Sequence, residues 1–307
     1  MLHMQHEFVH TPEPIIRLNC LPRSFIGQIS AASVNRRLFM KSASQIHLSD
    51  VQSVYSGPEG RLWQLLMGEQ IHFGGLTSSM DLAERAGIAE SWSGVDLCCA
   101  LGAGMRFLVR FRKVARMTGV DATRPMVDLG CKRCAEEGLA DRIAFVEANV
   151  CATGLPAAKF DFVWGEDAWC YVEDKPKLIA EAARLIKPKG LIAFTDWMEG
   201  PAGLTDEEAG RYLGFMKFPG VLRLEEYGSL LKANGCTVRT AQDTGRFAIQ
   251  VPLYIDMIEK QLTYDALKII GFDMALAQML IGEMRFMQSL AEKGKIIQGL
   301  MVAQKGV

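Results

Sequence analysis

The 307-residue chain lacks a dominant sign of charge: 34 lysines and arginines stand against 35 aspartates and glutamates, a formal net charge of -1. A nucleic-acid or membrane-surface partner calls for a basic excess or a Lys/Arg face, so neither is expected. The chain also lacks an apolar run of membrane-spanning length, and its opening MLHMQHEFVHTPEP has neither the basic start nor the apolar stretch of a secretion signal. A cytoplasmic location is the expectation. Eight cysteines are present (Cys20, Cys98, Cys99, Cys131, Cys134, Cys151, Cys170 and Cys236), without the spacing of a disulfide framework, and they read as reduced and buried. Cys131-x-x-Cys134 has no second ligand pair to complete a zinc site, and no metal is expected. What remains is an ordinary globular composition, 49% hydrophobic and 22% charged, enough for one large domain or two small ones.

The rest of the chain is organised around Gly94 to Leu108, GVDLCCALGAGMRFL. An apolar run ends at Leu97, very small residues follow, and Met105, Phe107, Leu108, Phe111 and Val114 then recur at helical spacing. This predicts a buried strand, a tight turn and a helix. Such a turn lets backbone approach a ligand and aims the first helical amides at it, which suits a nucleotide or another polar metabolite. Upstream, Pro58 and the apolar residues Leu62, Trp63, Leu65, Leu66 and Met67 predict a helix that stops before GEQIHFGG (68–75). Residues 78–86 predict a second helix, capped by Ser79 or Asp81.

Downstream, a strand ending at Asp121 is followed by a helix over about 124–138 and strands at 142–148 and 160–165. A helix over about 175–186, a strand at 191–197, a helix over about 224–234 and a strand at 236–240 come next. Two Met-, Leu- and Ile-rich helices within 254–291 precede a closing strand at 296–304. This alternation predicts a doubly wound parallel sheet with crossover helices on both faces. Residues 1–56, periodic only around 26–39, are set apart as an arm or lid; residues 57–307 form the domain, with a helical insertion at about 249–292.

In order, VDLCCALGAG, TGVDAT, VEANVCATGLP, FDFVWGEDAW and ARLIKPKGLIAFTDW resemble the motifs of the class I S-adenosylmethionine-dependent methyltransferases. GEQIHFGG, WGEDAW and TDWM are most similar to the sarcosine and dimethylglycine N-methyltransferase branch. The resemblance implies a Rossmann-like seven-stranded sheet with an antiparallel last strand, helical lid elements, and S-adenosylmethionine as donor without a metal. It implies cofactor contacts from Asp96, Cys98, Ala100, Gly102, Asp121, Ala122, Asn149, Val150 and Glu166. Of the family's three alternating glycines only Gly102 is kept, and neither Cys98 nor Ala100 is at home at positive φ. Asp121 stands where a carboxylate can accept both ribose hydroxyls, a signal a dinucleotide-binding dehydrogenase would share. Asn149 replaces the aspartate that meets the adenine amino group; its amide oxygen can accept the same bond, or it can serve a turn.

Glu166 and Asp167 follow the fourth strand at the sheet edge where such folds bind ligands, and a cationic ligand is their natural partner. Trp169, Tyr171 and Trp197, joined by Phe73, offer aromatic faces to an onium cation, although aromatics beside strand ends also build core. His72 can orient an acceptor or remove its proton. The expected reaction is methyl transfer to the nitrogen or sulfur of a small zwitterionic acceptor of the glycine, sarcosine or dimethylglycine type. Alternatives are S-methylation of a thioether such as methionine or a methylthio acid, a non-catalytic cofactor-binding protein, and a dinucleotide-dependent oxidoreductase. A homodimer is compatible with the first 56 residues and the hydrophobic helices near the end.

Overall fold

The computed structural model describes residues 41, 42 and 45–307. Cys20 and the periodic stretch around 26–39 lie outside the described residues, as does most of the expected arm. The elements run β1 (Lys41–Ser42), α1 (Leu48–Ser56), α2 (Pro58–Met67), α3 (Gly75–Ala86), β2 (Ser93–Leu97), α4 (Ala103–Phe111) and β3 (Arg116–Asp121). Next come α5 (Arg124–Glu136), β4 (Ile143–Glu147), β5 (Phe160–Glu166), a 3-10 turn (Trp169–Tyr171), α6 (Lys175–Leu185), β6 (Ile186–Glu199) and α7 (Asp206–Met216). The chain closes through β7 (Gly220–Val221), α8 (Leu224–Ala233), β8 (Cys236–Asp243), α9 (Arg246–Asp256), a π-helical turn (Met257–Gln261), α10 (Thr263–Ile269), α11 (Met274–Glu292) and β9 (Ile296–Lys305).

Seven strands form one sheet in the order β4-β3-β2-β5-β6-β9-β8, beside a two-stranded β1-β7 ribbon. The pairs β2-β3, β3-β4, β2-β5 and β5-β6 are parallel, while β9 runs antiparallel to both β6 and β8. This is the doubly wound, mostly parallel sheet read from the alternation of motifs. Strand order reverses between β2 and β5, so their carboxyl ends open the crevice in which such sheets bind ligands.

The pleat sorts side chains onto two faces. On β5, Phe162 and Trp164 face the core under α3, α4 and α5, whereas Val163 faces the core under α6 and α8. On β9, Leu300 and Val302 join the first core, and Met301 and Ala303 the second. A third core of Leu66, Phe73, Trp197, Tyr212, Phe218, Phe247 and Met287 is built between the sheet's carboxyl end and helices α2, α7, α9 and α11.

Helix ends follow local chemistry. Pro58, Pro125 and Pro176 sit in first turns, and Asp174, Thr205 and Asp273 accept bonds from amides of the turns they cap. Neither Ser79 nor Asp81 caps α3. Gly74 does: positive φ at Gly74 (89°) and Gly75 (45°) turns the chain into the helix before either residue is reached, so both lie inside it. The pair of helices expected within 254–291 is instead α9, the π-helical turn, α10 and α11, with Pro252 inside α9. Among the described cysteines, all free, Cys131 is exposed and Cys98 and Cys151 are half-buried, so the expectation of general burial fails there. Among the described residues no helix is long and apolar enough to cross a membrane.

Gly165, on the strand that delivers the two acidic residues, has no room for a side chain: a Cβ would lie 2.3 Å from Trp169 Nε1. Gly165→Ala is expected to cost about 1–3 kcal/mol by overpacking, seen as a lower urea midpoint at unchanged slope. An unchanged midpoint would show that the indole can move.

Candidate active site

A cavity of about 610 Å³ opens at the carboxyl ends of β2, β3 and β5. Its floor is the turn after β2. There φ is 66° at Cys98, 44° at Ala100 and 72° at Gly102, so the alternating left-handed conformation persists where two of three glycines are replaced. Each non-glycine residue held this way costs roughly 1–2 kcal/mol. The strain is held by hydrogen bonds: Cys98 and Cys99 amides donate to Val120 O at 2.9 and 3.2 Å. The Ala100 amide donates to Asp121 Oδ2 at 2.9 Å, and the Thr123 amide to Asp121 Oδ1 at 2.8 Å. Gly102 does not line the cavity. It caps α4, and a Cβ there would lie 2.6 Å from Phe145 Cζ.

Asp96, Cys98, Ala100, Asp121, Ala122, Asn149, Val150 and Glu166 all line the cavity. Burial pushes the Asp96 carboxyl well above its usual range, with the charges of Glu166 and Asp121 adding to it. Burial also raises Asp121, against the pull of its two amide partners. Asn149 is engaged in a turn, its side-chain oxygen accepting from the Cys151 amide at 2.9 Å. Of the two readings for this residue, the turn is thus present in the structure.

The other wall carries His72, Glu166, Asp167 and Tyr171. Glu166 Oε1 accepts from Ser79 Oγ at 2.8 Å and Oε2 from Trp164 Nε1 at 2.9 Å. His72 is buried, with Nε2 3.2 Å from Ser79 Oγ and 3.4 Å from Glu166 Oε1. Asp167 Oδ2 accepts from the Phe73 amide at 2.9 Å and from Gln298 Nε2 at 2.7 Å, while Oδ1 makes no hydrogen bond. Burial raises the Asp167 carboxyl, and the nearby His72 ring and Phe73 amide hold it back.

Two of the aromatic candidates take another place. Trp169 is wholly buried, stacks on Phe194 with centroids 4.1 Å apart and donates to Leu97 O at 3.1 Å. Trp197 packs among Phe73, Phe247 and Phe218 in the third core. Neither lines the cavity, and nor does Phe73; apolar ring area at a strand end has gone to packing. The ring that joins Tyr171 instead is Tyr55, edge-on at 5.4 Å, from helix α1. Leu48 and Val51 of the same helix also line the cavity.

Sequence reasoning missed Tyr55 because α1 lies in the stretch set aside as an arm. It missed Ser79, read as a cap, and Gln298. The one available signal for Gln298 was a polar residue near the start of the apolar strand IIQGLMVAQ. Among the described residues no group of three or more His, Cys, Asp or Glu is arranged to hold a metal ion.

Residues 95–194 match the family described as a methyltransferase domain. An erythromycin 3''-O-methyltransferase of Saccharopolyspora erythraea is 31% identical over 165 residues, covering 50% of this chain and 53% of the relative. The chain spans about half the length of the first curated relatives it matches. A protein provisionally assigned as a sarcosine dimethylglycine methyltransferase from Galdieria sulphuraria superposes with a TM-score of 0.73 at 20% identity, covering 81% of this chain and 97% of that one. Phosphoethanolamine N-methyltransferase 2 of Haemonchus contortus, in complex with S-adenosyl-L-methionine, gives 0.73 at 18% identity and covers 83% of this chain and 58% of its own. At these identities the structural likeness is one of fold.

Two substitutions in the turn are expected to act in opposite directions. Ala100→Gly exchanges roughly 1–2 kcal/mol of strain for the smaller entropic cost of glycine, raising the melting temperature by about 1–3 °C. Gly102→Ala adds both strain and the Phe145 clash and lowers it. Differential scanning calorimetry of the pair checks this, and equal signs would mean that the turn is not strained.

Proposed function

We propose that this chain, a class I S-adenosylmethionine-dependent methyltransferase by fold and by its match over residues 95–194, transfers a methyl group to the nitrogen or sulfur of a small amino-acid-like acceptor of the glycine, sarcosine or dimethylglycine type. The observation that carries the reading is the convergence of Asp96, Asp121, Glu166 and Asp167 on one cavity whose floor is a turn of alternating left-handed residues. A cationic nucleoside fits that set: the carboxylates meet positive charge, and the small turn lets backbone come close.

S-adenosylmethionine, when bound, supplies a methyl carbon made electrophilic by its sulfonium. Asp121 accepts the ribose hydroxyls with the lone pairs left over from its two amide bonds. Asp96 and Glu166 hold the ammonium of the methionine portion. Ala122, Val150, Asn149, Cys98 and Ala100, which line the same cavity, would complete the surroundings of the nucleoside. Tyr55 and Tyr171, which line the cavity, would offer aromatic rings to the onium centre, and His72 would orient the acceptor beside Asp167. Little covalent chemistry falls to the protein. Holding nucleophile and methyl carbon in line, with α1 and the 69–72 loop excluding water, supplies most of the effect.

A thioether acceptor is the second reading, favoured by the two tyrosine rings, since its sulfonium product is itself an onium cation.

The test is calorimetric titration with S-adenosylmethionine and separately with NAD, then measurement of S-adenosylhomocysteine release on glycine, sarcosine, dimethylglycine, methionine and methylthio acids. Micromolar donor binding, no NAD binding and release on one acceptor are expected. Donor binding without release on any acceptor would favour a non-catalytic protein. Asp121→Ala is expected to weaken donor binding about 10- to 100-fold with the far-ultraviolet dichroism retained; unchanged affinity removes the ribose role.

A pH dependence follows from the raised carboxyls. A carboxyl lifted by burial keeps its proton to higher pH than a free one, and a bound cation favours the anion, so binding expels protons and affinity falls as pH falls through its range. Titrations in two buffers of different ionisation enthalpy should show proton release; proton uptake would contradict it.

A further inference from the structure

We propose that Glu69 and Arg106 form a latch: their ion pair fastens the strip 69–71 to the turn after β2, and so sets how fast donor and product leave the cavity. This rests on the methyltransferase reading of the same cavity. Arg106 is in it a positioning residue, acting through the strip and the turn.

Glu69, Gln70, Ile71 and His72 all line the cavity. The far end of this segment is anchored. Phe73 is buried, its amide donates to Asp167 Oδ2 at 2.9 Å, and its carbonyl accepts from Gln298 Nε2 at 3.0 Å. His72 is buried as well, with Nε2 3.2 Å from Ser79 Oγ. The near end starts at Gly68, whose φ of 70° and ψ of -152° lie where essentially only glycine goes. A Cβ there would meet nothing within 4 Å, so glycine serves the backbone at this point and not a want of room. Between hinge and anchor, two side chains hold the strip: Gln70 Nε2 donates to Ser79 Oγ at 3.1 Å, and Glu69 meets two arginines.

Arg106 of α4 is a buried guanidinium for which the methyl transfer itself has no use. Nη1 donates to Leu101 O at 2.7 Å, Nε pairs with Glu137 Oε1 at 3.0 Å, and Nη2 donates to Glu69 Oε2. Leu101 belongs to the turn of left-handed residues and lines the cavity. One planar group thus joins the strip to the turn, and the fixed fork of its donors sets both directions at once. Arg133 of α5 stands 3.3 Å from Glu69 Oε1 without a hydrogen bond, so it adds attraction but no alignment.

The two charges are unequally placed. The Arg106 side chain is 6% exposed and the Glu69 side chain 56%. When the pair opens, Glu69 turns into water at little cost. Arg106 keeps Glu137 and the Leu101 carbonyl, so no lone charge is left buried. A fully buried pair would hold the strip too hard, and a fully exposed one hardly at all. A site that releases a product in every cycle calls for a fastening between those limits.

The experiment uses the full chain as wild type, Glu69→Gln and Glu173→Gln. The last removes charge from an exposed carboxylate that lines the same cavity and takes no part in the latch. Stopped-flow displacement measures dissociation of S-adenosylmethionine and of S-adenosylhomocysteine. Glu69→Gln is expected to speed both about 3- to 10-fold, the loss of one half-exposed ion pair, with association changed less than about 2-fold. Raising the salt should carry wild-type release toward the Glu69→Gln rate and leave that variant little changed. Glu173→Gln should release both ligands as wild type does. In the ligand-free protein, nitrogen-detected NMR of Arg106 reads the pair directly: guanidinium rotation, slowed by Glu69 and Leu101, is expected to quicken in Glu69→Gln and not in Glu173→Gln.

Unchanged release in Glu69→Gln, equal acceleration in Glu173→Gln, or a guanidinium rotation indifferent to Glu69 overturns the latch. Acceleration for the donor alone overturns it too, since Glu69 would then be a contact of the sulfonium. If wild type binds neither ligand, the methyltransferase reading falls and the role of the latch with it, while the Arg106 rotation still tells whether the pair forms.

Discussion

Drawing Asp96, Asp121, Glu166 and Asp167 into one buried cavity is the constraint on which the rest of the structure depends. Desolvated carboxylates repel one another and hold protons more tightly, and burial is the leading cause of the raised values at Asp96, Asp121 and Asp167. The fold answers with hydrogen bonds. Asp121 receives two backbone amides, Glu166 a hydroxyl and an indole, and Asp167 an amide and a carboxamide. Those same bonds shape the turn after β2 and hold the 68–75 loop against β5. Electrostatic need and site geometry are one arrangement.

Behind the cavity a second polar network does the bracing. Lys175, buried, donates to the carbonyls of Cys170, Val172 and Gly220, and burial lowers its amine. Asp196, pushed by burial to about 6, accepts from Tyr227 Oη at 2.6 Å and from the Cys170 amide at 2.9 Å. Between them they fix the 3-10 turn that carries Tyr171 to the cavity and Trp169 into the core. Buried polar groups of this kind cost desolvation and return a single arrangement when every member has a partner. Strand β6 therefore contributes Asp196 to bracing and Trp197 to packing.

The strands and most of the helices could be read from the sequence, because period-two and 3.6-residue patterns are local consequences of which face is buried. The turn after β2, the acidic end of β3 and the Glu166-Asp167 pair stood out for the same reason: each lies within a short stretch whose neighbours fix its place on a strand end. Cys98 and Ala100 drew attention as residues out of place at positive φ, and there they are. The aromatic cluster was legible only as a group of rings. Whether a ring faces a ligand or a core depends on what packs on the other side, and Trp169 and Trp197 met Phe194 and Phe73 there.

What the sequence by itself determined is the order of the seven main strands and most of the helices between them, the doubly wound architecture and the acidic character of its open end, since each follows from chemistry within a few residues of chain. Only the tertiary structure decided that Tyr55 of α1 faces Tyr171, that Ser79 serves Glu166 instead of a helix cap, and that Gln298 reaches Asp167 across 131 positions. Contacts at such separation arise when crossover connections bring strand ends side by side. No local pattern records which partner will be waiting there.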